Sequence, residues 1–185
     1  MNKLILAVIA LFIAGSGAAH AADGFEAVRC GGDIAKAMIG KRGANERVVV
    51  IEGRHKALGL QDLGADEISD TLDSISWRIC GKEYMVLEDK RGVVRDVLAV
   101  PAHGFATPEF SSSGCTLNGK ELPDVFVGVQ DNRKADRRKP RDAMDASLLP
   151  VLTAWRIDET HARFVAQPAA GLVCPATGIF TADDH

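Results

Sequence analysis

The sequence predicts an α+β fold: a short N-terminal helix packed on a curved antiparallel sheet of about six to eight strands, with two disulfides. Residues 74–80 alternate strictly between polar and apolar side chains, as a half-buried strand does. Residues 151–157 alternate in the same way, and turn-forming residues follow both segments. Four cysteines, an even number, favour two disulfide bonds.

The first residues have the composition of a secretory signal peptide. Lys3 supplies a basic start, an apolar run follows, and Ala19 and Ala21 provide a small-residue cleavage site. The run is shorter than the roughly 20 residues that a membrane-spanning helix needs. We therefore expect a signal peptide over residues 1–21, a single mature domain over residues 22–185, and no transmembrane segment after cleavage. The expected location is periplasmic or secreted.

The cysteines are predicted to pair with one another. Cys30, Cys80, Cys115 and Cys174 allow three pairings, of which we prefer Cys30 with Cys80 and Cys115 with Cys174. Thiols tend to pair in an oxidising compartment. The absence of any C-x-x-C spacing argues against a zinc site and against a redox-active pair.

The start of the mature chain predicts one helix and a pair of strands. Asp33 is a suitable N-cap for a helix over residues 33–39, and Gly40 is a suitable stop. Residues 47–54 contain the β-branched run Val-Val-Val-Ile, which favours a strand. Residues 58–63 are its expected partner.

An acidic connection and a meander are predicted next. Residues 64–70 are acidic and rich in turn formers, and are expected to be a solvated connection. The alternation that follows places Ile75, Trp77 and Ile79 on one face of a strand. The predicted meander then has a turn at Gly81 and Lys82, a strand over residues 83–88, a turn over residues 89–92 and a strand over residues 93–100.

The second half is predicted to be richer in loops. Its expected elements are a long loop over residues 101–121, a strand over residues 125–129, an exposed loop over residues 131–142, a short helix over residues 142–148, and a hairpin of residues 151–157 and 161–167. The alternation in that hairpin places Val151, Thr153, Trp155 and Ile157 on one side. Trp77 and Trp155 are expected in or near one core.

The motifs for familiar chemistries are incomplete. No G-x-S-x-G pattern is present, and residues 114–120 match only the first part of a phosphate-binding loop. Glu121 replaces the hydroxyl residue of that loop and Pro123 prevents the helix, so a disulfide-anchored turn is the preferred interpretation. We expect no cofactor and no metal ion. Paired carboxylates for glycoside hydrolysis depend on the fold and not on sequence spacing.

Two features are candidate partner-binding sites. His103 lies in a predicted loop, where functional residues concentrate, whereas His55, His161 and His185 are interpreted as structural or incidental. The second feature is a basic cluster that could attract an anionic surface. Its residues are Arg133, Lys134, Arg137, Arg138, Lys139 and Arg141.

These observations favour a binding function over a catalytic one. The net charge of −3 argues against general nucleic-acid binding, which usually needs a basic surface. We expect a non-catalytic exported protein, such as an inhibitor, immunity or accessory factor, that acts on an envelope protein or an anionic envelope polymer. The alternative is a small periplasmic hydrolase whose site forms only in three dimensions. The sequence does not specify an oligomeric state.

Overall fold

A computed structural model describes residues 23–43, 47–102, 114–122, 126–131 and 148–175. The helices are α1 (Ile34–Met38), α2 (Val48–Arg54) and a 3₁₀ turn (Lys56–Leu58). The strands are β1 (Gln61–Ser69), β2 (Leu72–Ile79), β3 (Lys82–Asp89), β4 (Val94–Ala99), β5 (Thr116–Leu117), β6 (Lys120–Glu121), β7 (Phe126–Gln130), β8 (Leu148–Asp158), β9 (Arg163–Gln167) and β10 (Leu172–Pro175). The predicted signal peptide lies outside the described residues and stays a prediction.

Helix α1 confirms the first predicted element. The Asp33 carboxylate accepts a hydrogen bond from the backbone N–H of Lys36 at 3.0 Å, which satisfies one of the free donors of the first turn. Ile34 and Met38 are buried, one helical turn apart. Gly40 follows the helix with φ +79°, a left-handed conformation that glycine adopts without strain. The cap and the stop signal therefore define this helix.

The strand predicted over residues 47–54 is wrong, because the structure has helix α2 there. Only Ile51 is buried, whereas Val49 is 67% exposed and Val48 and Val50 are exposed as well. β-branched residues favour strands because they pack against neighbours in a sheet, and this segment pairs with none of the described strands. A helix buries Ile51 in the core and leaves the valines outward. Tertiary packing overrides the local preference.

The solvated connection predicted over residues 64–70 is also wrong. These residues belong almost entirely to β1, which pairs antiparallel with β2 and not with residues 47–54. The ladder has an irregularity at Leu63, where Gly64 has φ +118°. A β-bulge inserts one extra residue in this way and shifts the side-chain alternation. Acidic residues and glycine thus form a strand because β2 supplies a partner.

The first sheet has the strand order β1-β2-β3-β4 and confirms the predicted meander. The turn between β2 and β3 consists of Cys80 and Gly81, both with positive φ, one residue earlier than expected. Such a conformation at both central residues suits a tight two-residue hairpin. Both faces of the sheet are covered, since Ile79 and Val86 pack in one core and Leu87 packs in another.

The second sheet has the order β6-β5-β10-β8-β7, and β9 also pairs with β8. The second predicted hairpin is present as β8 and β9. A register shift at Leu152 moves Val151 into a different core from Trp155 and Ile157, so the predicted shared face is only partly right. The loop predicted over residues 101–121 contains the β5–β6 hairpin, whose turn is Asn118 and Gly119.

Other predicted elements of the second half have mixed outcomes. The strand expected over residues 125–129 is present as β7. Asp131 is buried, contrary to the exposed loop expected from that residue onward. The rest of that loop and most of the helix expected over residues 142–148 lie outside the described residues. Leu148 itself begins β8.

The described residues form three hydrophobic cores. The first lies between the helices and the first sheet and includes Trp77, the second lies between the two sheets, and the third surrounds Cys115 and Cys174. Trp155 packs against the second core, so the expectation of a core shared by the tryptophans is wrong. The ten strands of the described residues form two antiparallel sheets instead of one, and the curvature of a sheet stays a prediction.

Two disulfides join the preferred cysteine partners. The bonds are Cys30–Cys80 and Cys115–Cys174. Cys80 lies in the turn between β2 and β3. Cys174 lies in β10, opposite Leu149 of β8. Two disulfides indicate an oxidising, extracytoplasmic environment. Among the described residues, none of the helices has the length and apolar character needed to span a bilayer.

Candidate binding edge

The residues predicted to bind a partner cannot be placed. His103 and the basic cluster Arg133, Lys134, Arg137, Arg138, Lys139 and Arg141 all lie outside the described residues. The two outer strands of the first sheet, β1 and β4, differ in how much of their outer edges the rest of the described chain covers.

Strand β4 has a covered outer edge. The backbone of Val94 donates to the carbonyl of Lys41 at 2.9 Å and accepts from the N–H of Gly40 at 2.8 Å. Further along, the Asp96 carboxylate accepts from the N–H of Phe164 in β9 at 2.7 Å. The chain after α1 and the edge of the second sheet thus occupy this side of β4. No further strand can be added where these groups already bond.

Strand β1 has an open outer edge over most of its nine residues. Its one strand partner in the described chain is β2, and the run from Leu63 to Glu67 is exposed. Near its start, the Glu52 carboxylate of α2 accepts from the N–H of Asp62 at 2.8 Å. In antiparallel strands every second residue points its N–H and C=O away from the partner. The N–H of Gly64 donates to the Asp62 carboxylate at 2.9 Å, within the strand itself. The remaining outward backbone groups of β1 meet no other described strand and face solvent.

A cross-strand row of carboxylates runs inward from this edge. Glu67 on β1 is opposite Asp73 on β2, which is opposite Glu88 on β3. The Lys90 ammonium donates to Glu67 at 3.0 Å and to Asp73 at 2.8 Å. In the described part of the chain no ion pair reaches Glu88. The backbone of Gly43 lies so close to Glu88 that a methyl group there would overlap the carboxylate.

Glu88 is the most perturbed acid of the row. Burial, and then the negative charges of Asp73 and Asp89, raise the pKa of Glu88 to about 7. Asp89 has the opposite shift, because hydrogen bonds from the N–H groups of Val93 and Arg91 and from the Arg91 side chain outweigh burial and lower its pKa. The row is thus exposed and in contact with Lys90 at β1, and half-buried and readily protonated at β3.

A second polar cluster anchors the first described residues. Asp23, only 5% exposed at its side chain, accepts from His55 Nε2 at 2.9 Å and from the Arg54 guanidinium at 3.0 Å. The N–H of Phe25 also donates to it at 3.0 Å, and the Phe25 ring lies between His55 and Trp77. Burial alone would raise the pKa of Asp23, but these partners hold it below its usual value.

The Asp23 cluster joins the first described residues to the end of α2. A histidine oriented by an aspartate is half of a nucleophile-activating triad. No serine, threonine or cysteine side chain of the described residues hydrogen-bonds to the His55 ring. Over the same residues, no group of three or more potential metal ligands is assembled. The structural interpretation of His55 is supported by its buried contact with Asp23, a partner that no sequence pattern marks.

No family model, curated protein or solved structure matched the chain. The β1 edge was missed by the sequence analysis because Gly64 and the acids around it are typical of a turn. A nine-residue strand at that position has no alternating pattern that could have revealed it.

Proposed function

We propose that the protein is an exported, non-catalytic binding protein, periplasmic or secreted, that holds an extended segment of a partner polypeptide at the outer edge of β1. The single observation that carries this proposal is the open edge over residues 63–67. In strand addition an extended peptide joins the edge of a sheet, and main-chain hydrogen bonds provide the affinity.

The surroundings of β1 support this proposal. The other three strands of the first sheet are held between two hydrophobic cores, which keeps the edge fixed in shape. The Cys30–Cys80 bond attaches the N-terminal segment to the β2–β3 turn of the same sheet. A rigid edge loses little conformational entropy when a partner binds. Such a scaffold suits an inhibitor, immunity or accessory factor.

A peptide-binding experiment tests this proposal. The probe is a peptide of about eight residues in which threonine, valine and lysine alternate, chosen for its strand propensity. Two further versions carry methyl groups on alternate amide nitrogens, one version in each register. We expect one methylated register to lose binding by at least about 10-fold, because its edge-facing donors are gone, and the other to bind like the parent peptide.

The controls separate strand addition from adhesion to the surface. Isotope-edited NMR spectra should show shifts confined to the amides of β1 and its neighbour β2. Equal binding of the parent and both methylated peptides, or shifts that avoid residues 63–69, would contradict strand addition at this edge.

A further inference from the structure

We infer that the segment bound at β1 carries basic side chains, an inference that rests on the proposed strand addition. Strand β1 contains Asp62, Asp66 and Glu67 and no lysine or arginine. Directly opposed charges of unlike sign on adjacent strands stabilise a pair, and like charges destabilise it. An added strand therefore fits this edge best when it places lysine or arginine beside these acids.

The positions of the acids specify a pattern in the partner. Asp66 and Glu67 are consecutive and exposed, and their side chains lie on opposite faces of the sheet. A matching partner strand carries two consecutive basic residues at that point. Leu63, exposed at the other end of the open run, favours an apolar side chain there. The expected segment thus has a basic end and an apolar end, about four residues apart.

The molecule already provides an example of the expected contact. Lys90, from the turn after β3, places its ammonium against Glu67 and Asp73. Glu67 remains 69% exposed at its side chain, so the far side of this carboxylate is open to a second cation. A partner lysine beside Glu67 would make the same kind of charge-assisted hydrogen bond that Lys90 makes from within the chain.

The negative charges of β1 argue against two other binding partners at its outer edge. A second copy paired through β1 would bring its own Asp62, Asp66 and Glu67 against the same three acids, and that pairing would be repulsive. An anionic envelope polymer would be repelled by this edge for the same reason. A basic polypeptide segment is the occupant with complementary charge.

Charge variants of the probe and of the protein test this inference together. The parent peptide is compared with versions whose lysines are replaced by glutamine or by glutamate, at low salt and at about 0.15 M salt. We expect the lysine peptide to bind about 10-fold tighter than the glutamate peptide, with a smaller difference at the higher salt concentration. The lysine peptide should also bind the double variant Asp66→Asn, Glu67→Gln about 3- to 10-fold more weakly than the natural protein.

A matched variant controls for overall charge. Glu121→Gln with Glu159→Gln removes two exposed carboxylates from the second sheet and changes the net charge by the same amount. We expect less than about a 2-fold change in peptide affinity for this control. Equal losses in both double variants would mean that net charge, and not the β1 edge, attracts the peptide, which would overturn the inference.

The remaining outcomes distinguish the inference from the proposed function. Equal binding of the lysine, glutamine and glutamate peptides, together with loss on methylation, would overturn the basic specificity and leave strand addition standing. Charge-dependent binding that ignores methylation would contradict strand addition. Concentration-dependent dimerisation without peptide, weakened by the Asp66 and Glu67 substitutions, would make a second copy the occupant. Failure of every peptide to bind would contradict both proposals.

Discussion

The two outer strands of the first sheet differ in the contacts that their outer edges make with the rest of the chain. At β4, Val94 bonds to Gly40 and Lys41, and Asp96 bonds to Phe164. At β1, the described residues show two such contacts, both near the start of the strand: Glu52 accepts from the N–H of Asp62, and the Asp62 carboxylate accepts from the N–H of Gly64. Exposed edges invite pairing with other chains, and natural proteins limit that risk with charges and bulges.

The difference suggests what the open edge is for. Strand β1 has both a bulge and three acids, so indiscriminate pairing is discouraged, but beyond Gly64 its outer edge meets no other described strand. An edge that needed only protection could have been covered as β4 is. A charged, uncovered edge admits a partner of suitable charge and discourages others. The following predictions test this contrast.

The largest expected effect is at the covered edge. Asp96 accepts from the N–H of Phe164 at 2.7 Å and from the N–H of Val97 at 2.8 Å, so Asp96→Ala leaves two donors without a partner. We expect the free energy of unfolding to fall by about 2 to 3 kcal/mol. Urea denaturation followed by circular dichroism measures it. Asp96→Asn, which keeps one acceptor, should lose less, and equal stability of all three proteins would contradict the role given to this carboxylate.

The second effect depends on pH and concerns the inner end of the carboxylate row. The folded protein holds the pKa of Glu88 at about 7, above its value in the unfolded chain. The folded state therefore binds the proton more tightly, and stability falls as pH rises from the unfolded pKa to the folded one. Glu88→Gln removes this loss. At about pH 8 the variant should be more stable by about 2 kcal/mol after allowance for solvent screening, and the gain should vanish below about pH 4.5.

The measurement for Glu88 is a series of urea denaturation curves across that pH range. Glu67→Gln is the matched control, because Glu67 belongs to the same row but lies exposed at the open edge. Its effect on stability should be small, because its side chain is exposed. Parallel pH profiles for the Glu88 variant and the natural protein would show that burial does not perturb this carboxyl.

A smaller stabilising effect is expected in α2, which flanks the open edge. Val49 is exposed in a helix, and alanine has the higher helix propensity. Val49→Ala should therefore raise the free energy of unfolding by about 0.5 kcal/mol. If residues 47–54 formed a strand instead, the same substitution would lower stability. Thermal unfolding of the two proteins in parallel distinguishes these outcomes.

The smallest effect on stability is expected at the open edge itself. Asp66 is exposed, and no ion pair or side-chain hydrogen bond joins it to the described residues. Asp66→Asn should change the free energy of unfolding by less than about 0.5 kcal/mol. A loss as large as that of Asp96→Ala would mean that the two edges are equally engaged, and the contrast between them would fail.

Local signals in the sequence were sufficient where one residue or one short pattern determines an element. Asp33 defines α1 as its cap, and the strict alternation around Trp77 defines β2. The prediction failed for α2, because packing of Ile51 outweighed the strand preference of the valines. It also failed for β1, whose glycine and acids form a strand only because β2 is a neighbour.

The candidate site was less predictable than the fold. An open edge is a property of the whole sheet, since it depends on which strand receives no neighbour. The ion pair of Asp23 with His55 joins residues that are 32 positions apart, and no local pattern marks such a contact. The register shift at Leu152, which separates Val151 from Trp155, is likewise set by pairing with β7.

Amide hydrogen exchange of the unliganded protein tests the difference between the edges most directly. The account predicts that alternate amides between residues 63 and 69 exchange with little protection, because every second N–H of β1 faces solvent. The N–H of Val94, bonded to Lys41, should instead be protected, as should that of Phe164. Uniform strong protection along β1, equal to that of β4, would mean that its outer edge is covered and would contradict the account.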